Sequence, residues 1–143
     1  MPDNRFALYT VRDTGVTAYE AKAAMASVAL SSTPLVTSKD LVSYHWSTHT
    51  FTGTATLDST IRAIGIMPAR PYGLPFVIIA GSERVYAGAF WYPQSDARPP
   101  VPTINPTLFS APYQIVKSPV DTLDVRNDER VREALSSAGV LLP

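Results

Sequence analysis

Cysteine is absent from all 143 residues, which excludes disulfides, thiolate nucleophiles and cysteine-ligated zinc or iron–sulfur centres. A cysteine-free chain suits an oxidising and a reducing compartment equally. Excess charge of either sign is missing too, because 12 Lys and Arg balance 12 Asp and Glu. Nothing therefore marks the chain as a partner of nucleic acid or of an anionic lipid surface. No apolar run approaches the ~20 residues needed to cross a bilayer, so no membrane span is expected. The start, Met1-Pro2-Asp3-Asn4-Arg5-Phe6, lacks a basic region followed by an apolar one, and no signal peptide is expected from it as it stands. Also lacking are a Gly-x-Ser-x-Gly elbow and a phosphate-cradling loop.

What is present is apolar and rich in proline. Hydrophobic residues make up 45% and charged residues 17%, so the chain can bury a core and has the length of one domain, 1–143. Five of its 13 prolines, Pro93, Pro99, Pro100, Pro102 and Pro106, fall between 92 and 106. Proline has no N–H to give a sheet, so 92–106 is expected to run over the surface as a loop.

The clearest element is Leu74 to Trp91. Phe76-Val77-Ile78-Ile79-Ala80 is a continuous β-branched and aromatic run, the pattern of a strand covered on both faces, and Gly81-Ser82-Glu83 turns it into a second strand, Arg84 to Phe90. Phe6 to Val11 reads as a first strand ended by Asp13-Thr14-Gly15. Tyr19 to Ala26 favours a short helix or irregular turn, followed by a short strand at Ser27 to Leu30. Val42 to Thr54 reads as strand, with Ser47-Thr48 as a potential hairpin turn. Leu57, Ile61, Ile64 and Met67 recur at helical spacing, with Thr56 to cap and Pro68 to stop, and Arg70-Pro71-Tyr72-Gly73 turns the chain onward. Tyr113 to Val116 is expected to be a last edge strand. Asn127 is placed to cap a final helix whose Val131, Ala134, Leu135 and Ala138 share one face, with Gly139 as its left-handed terminus. The expected fold is a single α+β domain, a mostly antiparallel sheet of about four or five strands with two or three helices.

The only histidines are His45 and His49. On one straight strand they would lie about 13 Å apart, too far to share a metal. A turn at Ser47-Thr48 would bring them closer, yet a third ligand such as Asp40 or Glu83 would still have to arrive from elsewhere. Hydrogen-bonded structural histidines are the stronger reading, and no metal or cofactor is expected. Among Asp40, Asp58, Glu83 and Asp96 no spacing selects a carboxylate pair for glycoside chemistry. Trp91 and Tyr92 stand where strand meets proline loop, and consecutive strand residues point to opposite faces. With Arg98 and Tyr72 they form the candidate binding set, since aromatic and Arg side chains beside a stiff loop lose little entropy on docking. The competing reading folds the loop back over the aromatics.

Pro34-Leu-Val-Thr-Ser-Lys-Asp40-Leu, followed by an aromatic strand, a helix, an apolar strand, a small turn and Val85 to Phe90, resembles the periplasmic head domain of the SecD translocase subunit. The likeness spans Pro34 to Ile104 and departs at the turn, Ala80-Gly81-Ser82-Glu83, which has no Asp. It implies ferredoxin-like packing and a surface for protein contact. Tyr44, Trp46 and His49 in a Y-x-W-x-x-H pattern, with Pro75-Phe76-Val77 and Tyr86-Ala-Gly-Ala-Phe90, are similar to small uncharacterised bacterial extracytoplasmic proteins. That likeness implies a non-enzymatic binding module, of the cell envelope, with a protein partner. The alternatives are a small hydrolase with an unrecognised site and a homo-oligomeric assembly subunit.

Overall fold

The computed structural model describes residues 6–67, 73–93, 95, 97–107 and 111–143. Pro68, Arg70, Pro71, Tyr72 and Asp96, to which the sequence assigned a helix stop, a turn, a binding ring and a carboxylate, lie outside the described residues.

Local chemistry sets the ends of the helices. Helix α1 (Ala18–Ala23) starts at Thr17, whose hydroxyl accepts the Glu20 N–H at 3.2 Å while the Glu20 carboxylate accepts the Thr17 N–H at 3.1 Å. Helix α2 (Ala55–Gly65) is capped by Thr54, which takes the Leu57 N–H, and Thr56 instead falls inside the first turn. Helix α3 (Glu129–Ser137) is capped by Asp128 rather than Asn127, because the Asn127 amide is turned toward His49. Gly139 ends it with φ +76°, as expected of a left-handed terminus.

The strands are β1 (Phe6–Thr10), β2 (Val36–Thr37), β3 (Leu41–His45), β4 (Thr50–Gly53), β5 (Leu74–Ala80), β6 (Glu83–Phe90), β7 (Thr103–Ile104), β8 (Tyr113–Val116) and β9 (Leu141–Leu142). Among the described residues they join in one sheet of order β2-β1-β5-β6-β7-β8-β4-β3-β9, curled into a half-barrel. Strand β5 is an interior strand, pairing antiparallel with β1 and with β6. Gly81, at φ +64°, begins the two-residue turn between β5 and β6, where a positive φ matches the strand twist.

This overturns the expected sheet of about four or five strands with ferredoxin-like packing: the fold is sheet-dominated, with nine strands and three helices among the described residues. The reason is length. Strands β2, β7 and β9 have two residues each, too few for any alternation to register, and β7 and β9 make the parallel pairings, with β6 and β3. Tyr113 to Val116 is correspondingly no edge strand, since β8 lies between β7 and β4. Ser27 to Leu30 contributes only a single bridge, Val11 to Leu30.

The proline-rich segment also departs from expectation. It does not run wholly over the surface, for Val101 and Ile104 are buried and β7 sits inside the sheet. Proline cannot donate, but its carbonyl still accepts. The Ala89 N–H donates to the Pro102 carbonyl and the Trp91 N–H to that of Ile104, each at 3.0 Å. Gly88 permits this approach: a Cβ there would lie 2.5 Å from the Phe76 ring and 2.9 Å from the Pro102 oxygen.

Alternation along the strands divides the sheet into two faces. The inner face carries Leu8, Phe76, Ile78, Tyr86, Phe90 and Ile115 into one core with Leu57 and Ile61 of α2 and Val131 and Leu135 of α3. The outer face of β6 carries Ala87 and Ala89, which pack with Trp91, Val101 and Ala18 of α1. Both faces of β6, and of β5 as far as Val77, are therefore covered, while Ile79 on the outer face of β5 stays partly exposed.

Candidate functional site

Trp91 and Tyr92 leave the end of β6 toward opposite faces, as their adjacency demands, and each face is already occupied. Trp91, 8% exposed, packs among Ala18, Ala87, Ala89 and Val101. Tyr92, 3% exposed, donates its hydroxyl proton to the Ile64 carbonyl at 3.0 Å, close to the end of α2. Arg98 is at the surface, where its carbonyl accepts the Tyr19 hydroxyl and its guanidinium reaches the Pro119 carbonyl. The two rings thus serve different layers, Trp91 the one under α1 and Tyr92 the one beside α2, and the structure does not bring them together on one platform. Tyr72 lies outside the described residues.

The histidines separate as well. The chain turns over 46–49 between β3 and β4, so a hairpin does form, with His49 at φ +53°. His45 stays exposed while His49, 2% exposed, turns into the protein. Its Nδ1 lies 2.8 Å from the Tyr44 hydroxyl and its Nε2 2.8 Å from Asn127 Oδ1. The Asn127 amide nitrogen faces Asp124, so its oxygen is the end presented to the ring. His49 Nε2 must then carry the proton and Nδ1 accepts that of Tyr44. The Trp46 ring stands edge-on to the imidazole, with centroids 4.8 Å apart.

Beside this chain of bonds, Arg126 grips both oxygens of Asp124, at 2.9 and 2.7 Å, and donates to the Ile115 carbonyl at 2.8 Å. The Arg126 bond holds the Asp124 carboxyl below its ordinary range. Burial pushes the Tyr44 hydroxyl far above the usual phenol value and lowers the His49 imidazole. Tyr113 is pushed up to about 12, by burial and then by its bond to Asp58. Each of these groups is committed to a bonded neighbour, Tyr113 to Asp58 and the others within the His49 set. A histidine with both nitrogens bonded, beside a tyrosine that resists ionisation, offers neither a free base nor a metal lone pair.

Among the described residues no group of three His, Asp or Glu is placed to hold a metal ion. Zinc or nickel in modest excess is expected to leave the melting temperature unchanged, because a native-state site would raise it by mass action. An upward shift that disappears in His49→Ala would place a metal there after all.

The half-barrel interior is nearly filled. A cavity of about 10 Å³ between Leu8, Tyr44, Phe51 and Phe90 is entirely apolar, and such a space stays dry. Far roomier is a groove of about 390 Å³ on the outer face beside β1. Its floor is formed by Ala7, Tyr9 and Ile79, outward-facing residues of neighbouring strands, and Thr37, Lys39 and Ser82 give it polar walls. None of these residues was read from the sequence as a binding residue, since an alternating strand near the margin of a sheet looks the same with or without a groove above it.

No family model, curated protein or solved structure matches the chain. Among the described residues no helix is long and apolar enough to cross a membrane.

Proposed function

We propose that the chain is a non-enzymatic protein-interaction module whose contact surface is the groove beside β1, fitted to an extended segment of a partner protein. The observation that carries this reading is the groove itself, about 390 Å³ with an apolar floor and a polar rim that includes Lys39. Adjacent strands space Ala7, Tyr9 and Ile79 along the pleat, and that spacing suits the alternating side chains of an extended peptide. The titratable cluster around His49 supports the same reading from the other side, since its donors and acceptors are bonded to one another rather than aimed at a substrate. An extracytoplasmic setting rests on the sequence resemblance alone and belongs to the same proposal.

Peptides selected from a random display library on the immobilised protein test it. They are expected to perturb the amide resonances of Ala7, Tyr9, Ile79 and Ser82. Tyr9→Ser should weaken them at least about tenfold while barely moving the melting temperature, as truncating a contact aromatic outside the core does. Selected peptides that map to another surface, or that bind Tyr9→Ser unchanged, would overturn the assignment. Turnover of ester or phosphoester substrates would favour the enzyme reading instead.

A further inference from the structure

We infer that the partner segment is acidic: the groove beside β1 takes an extended chain that carries an Asp or Glu two residues from an apolar side chain. This rests on the reading of that groove as the contact surface and gives the segment its chemistry. The groove has two unlike ends. At the Phe6 end of β1 stands Lys39, on the single helical turn Ser38–Asp40. That turn is fastened there because the Ser38 hydroxyl accepts the Phe6 N–H at 2.8 Å and donates to the Phe6 carbonyl at 3.1 Å. Across the strand at the same end lies Ser82, since Phe6 pairs with Ala80 and the Gly81-Ser82 turn follows directly. At the other end are the Tyr9 ring and Pro34, the latter held beside Leu8 by the 2.8 Å bond of the Leu35 N–H to the Leu8 carbonyl.

The charge of the lining has one sign. Among the described residues Lys39 is the charged group of the groove, and no carboxylate lines it. Two acids adjoin the lining in sequence, and each is turned elsewhere. Asp40 accepts the Thr37 N–H at 2.8 Å and the Thr37 hydroxyl at 3.3 Å, while Glu83 is held by Arg130 at 3.0 Å. An ammonium facing a serine hydroxyl at one end of an apolar floor suits an anionic acceptor there and a hydrocarbon side chain beyond it. A basic segment would instead set like charges together at Lys39.

The strand repeat fixes the spacing. Ala7 is level with Thr37 on one side and Ile79 on the other, which places it at the Lys39 end. Tyr9 is the next outward residue of β1, about 7 Å along the strand. Alternate side chains of an extended ligand share that repeat, so when its acid meets Lys39 the next inward side chain falls over Tyr9 and Pro34. The ion pair then selects among segments more than it tightens them, because an exposed pair contributes at most about fivefold.

Peptides selected from a random display library on the immobilised chain are expected to share an Asp or Glu two positions from a Leu, Ile, Val, Phe or Met. One that perturbs the amide resonances of Ala7, Tyr9 and Ile79 is then titrated against variants. Lys39→Gln should weaken it about threefold to fivefold, and Lys39→Arg should keep the parent affinity. Lys39→Glu should weaken it further and be rescued when the peptide acid is replaced by Lys. In about 0.5 M salt the Lys39→Gln loss should vanish while the Tyr9→Ser loss persists. Lys39 is exposed, so each of its variants should keep the parent melting temperature. Peptides that map to the groove yet carry no acid, or that bind Lys39→Gln as tightly as the parent, would overturn the acidic assignment and leave the groove as the contact surface. Peptides that map to another surface would overturn the groove reading and the acidic assignment with it.

Discussion

Ile78→Asp is expected to abolish the folded state at neutral pH. The side chain is 0% exposed, on the inner face of the interior strand β5, with Leu8 of β1 and Tyr86 of β6 directly opposite. Losing the buried Ile costs about 2–5 kcal/mol in itself. The carboxylate then has to be desolvated among Phe76, Phe90 and the α3 side chains, or take up a proton, at a further cost of several kcal/mol. Together these rival the total stability of an ordinary domain, about 5–15 kcal/mol. Its burial would raise the carboxyl pKa, so the folded variant binds the extra proton. What stability it keeps is thus greatest at acid pH and lost as pH rises. Ile79→Asp, one residue on, points into the open groove and should cost no more than about 1–2 kcal/mol. Thermal melts of the two variants side by side measure the difference between the faces of β5. Soluble Ile78→Asp with an unchanged melting temperature would remove that strand from the core.

The contrast between those two isoleucines shows what could be read from residues and what could not. Phe76 to Ala80 declares a buried strand because every position is apolar, though the run does not show that Ile79 opens onto a groove, and Gly81-Ser82 declares the turn, which Gly81 enters at a positive φ. Which strands lie beside it depends on pairings with no local signal. The two-residue strands β2, β7 and β9 make up a third of the sheet by number, and they owe their place to partners far along the chain. The same distance effect hides the His49 network. Residues 49 and 127 are joined only by the fold, and the Asn127 amide that looked like a helix cap was taken up by the imidazole, leaving the cap to Asp128. The groove beside β1 needed β2 and the β5–β6 turn in place before it existed at all.

Trp91 and Tyr92 make the same point at the level of energy, for each was a candidate contact residue and each is expected to behave as core. Trp91→Ala should destabilise by about 3–5 kcal/mol, the cost of removing a buried large aromatic. The loss should fall on one layer: Trp91 lies between Ala18 of α1 and Val101, so hydrogen exchange in α1 and β7 should rise before that of β3 and β4. Tyr92→Ala should cost a similar amount through the opposite face, where the ring lies against α2. Tyr92→Phe separates ring from hydroxyl. The Ile64 carbonyl still receives the Met67 N–H at 3.1 Å, so it is not orphaned, and the loss should be held to about 1 kcal/mol. Denaturant titrations of the three variants give these values directly. If Trp91→Ala or Tyr92→Ala instead melts like the parent chain, that ring stands free of the core. The aromatic end of β6 would then regain its claim as a contact surface, in competition with the groove beside β1.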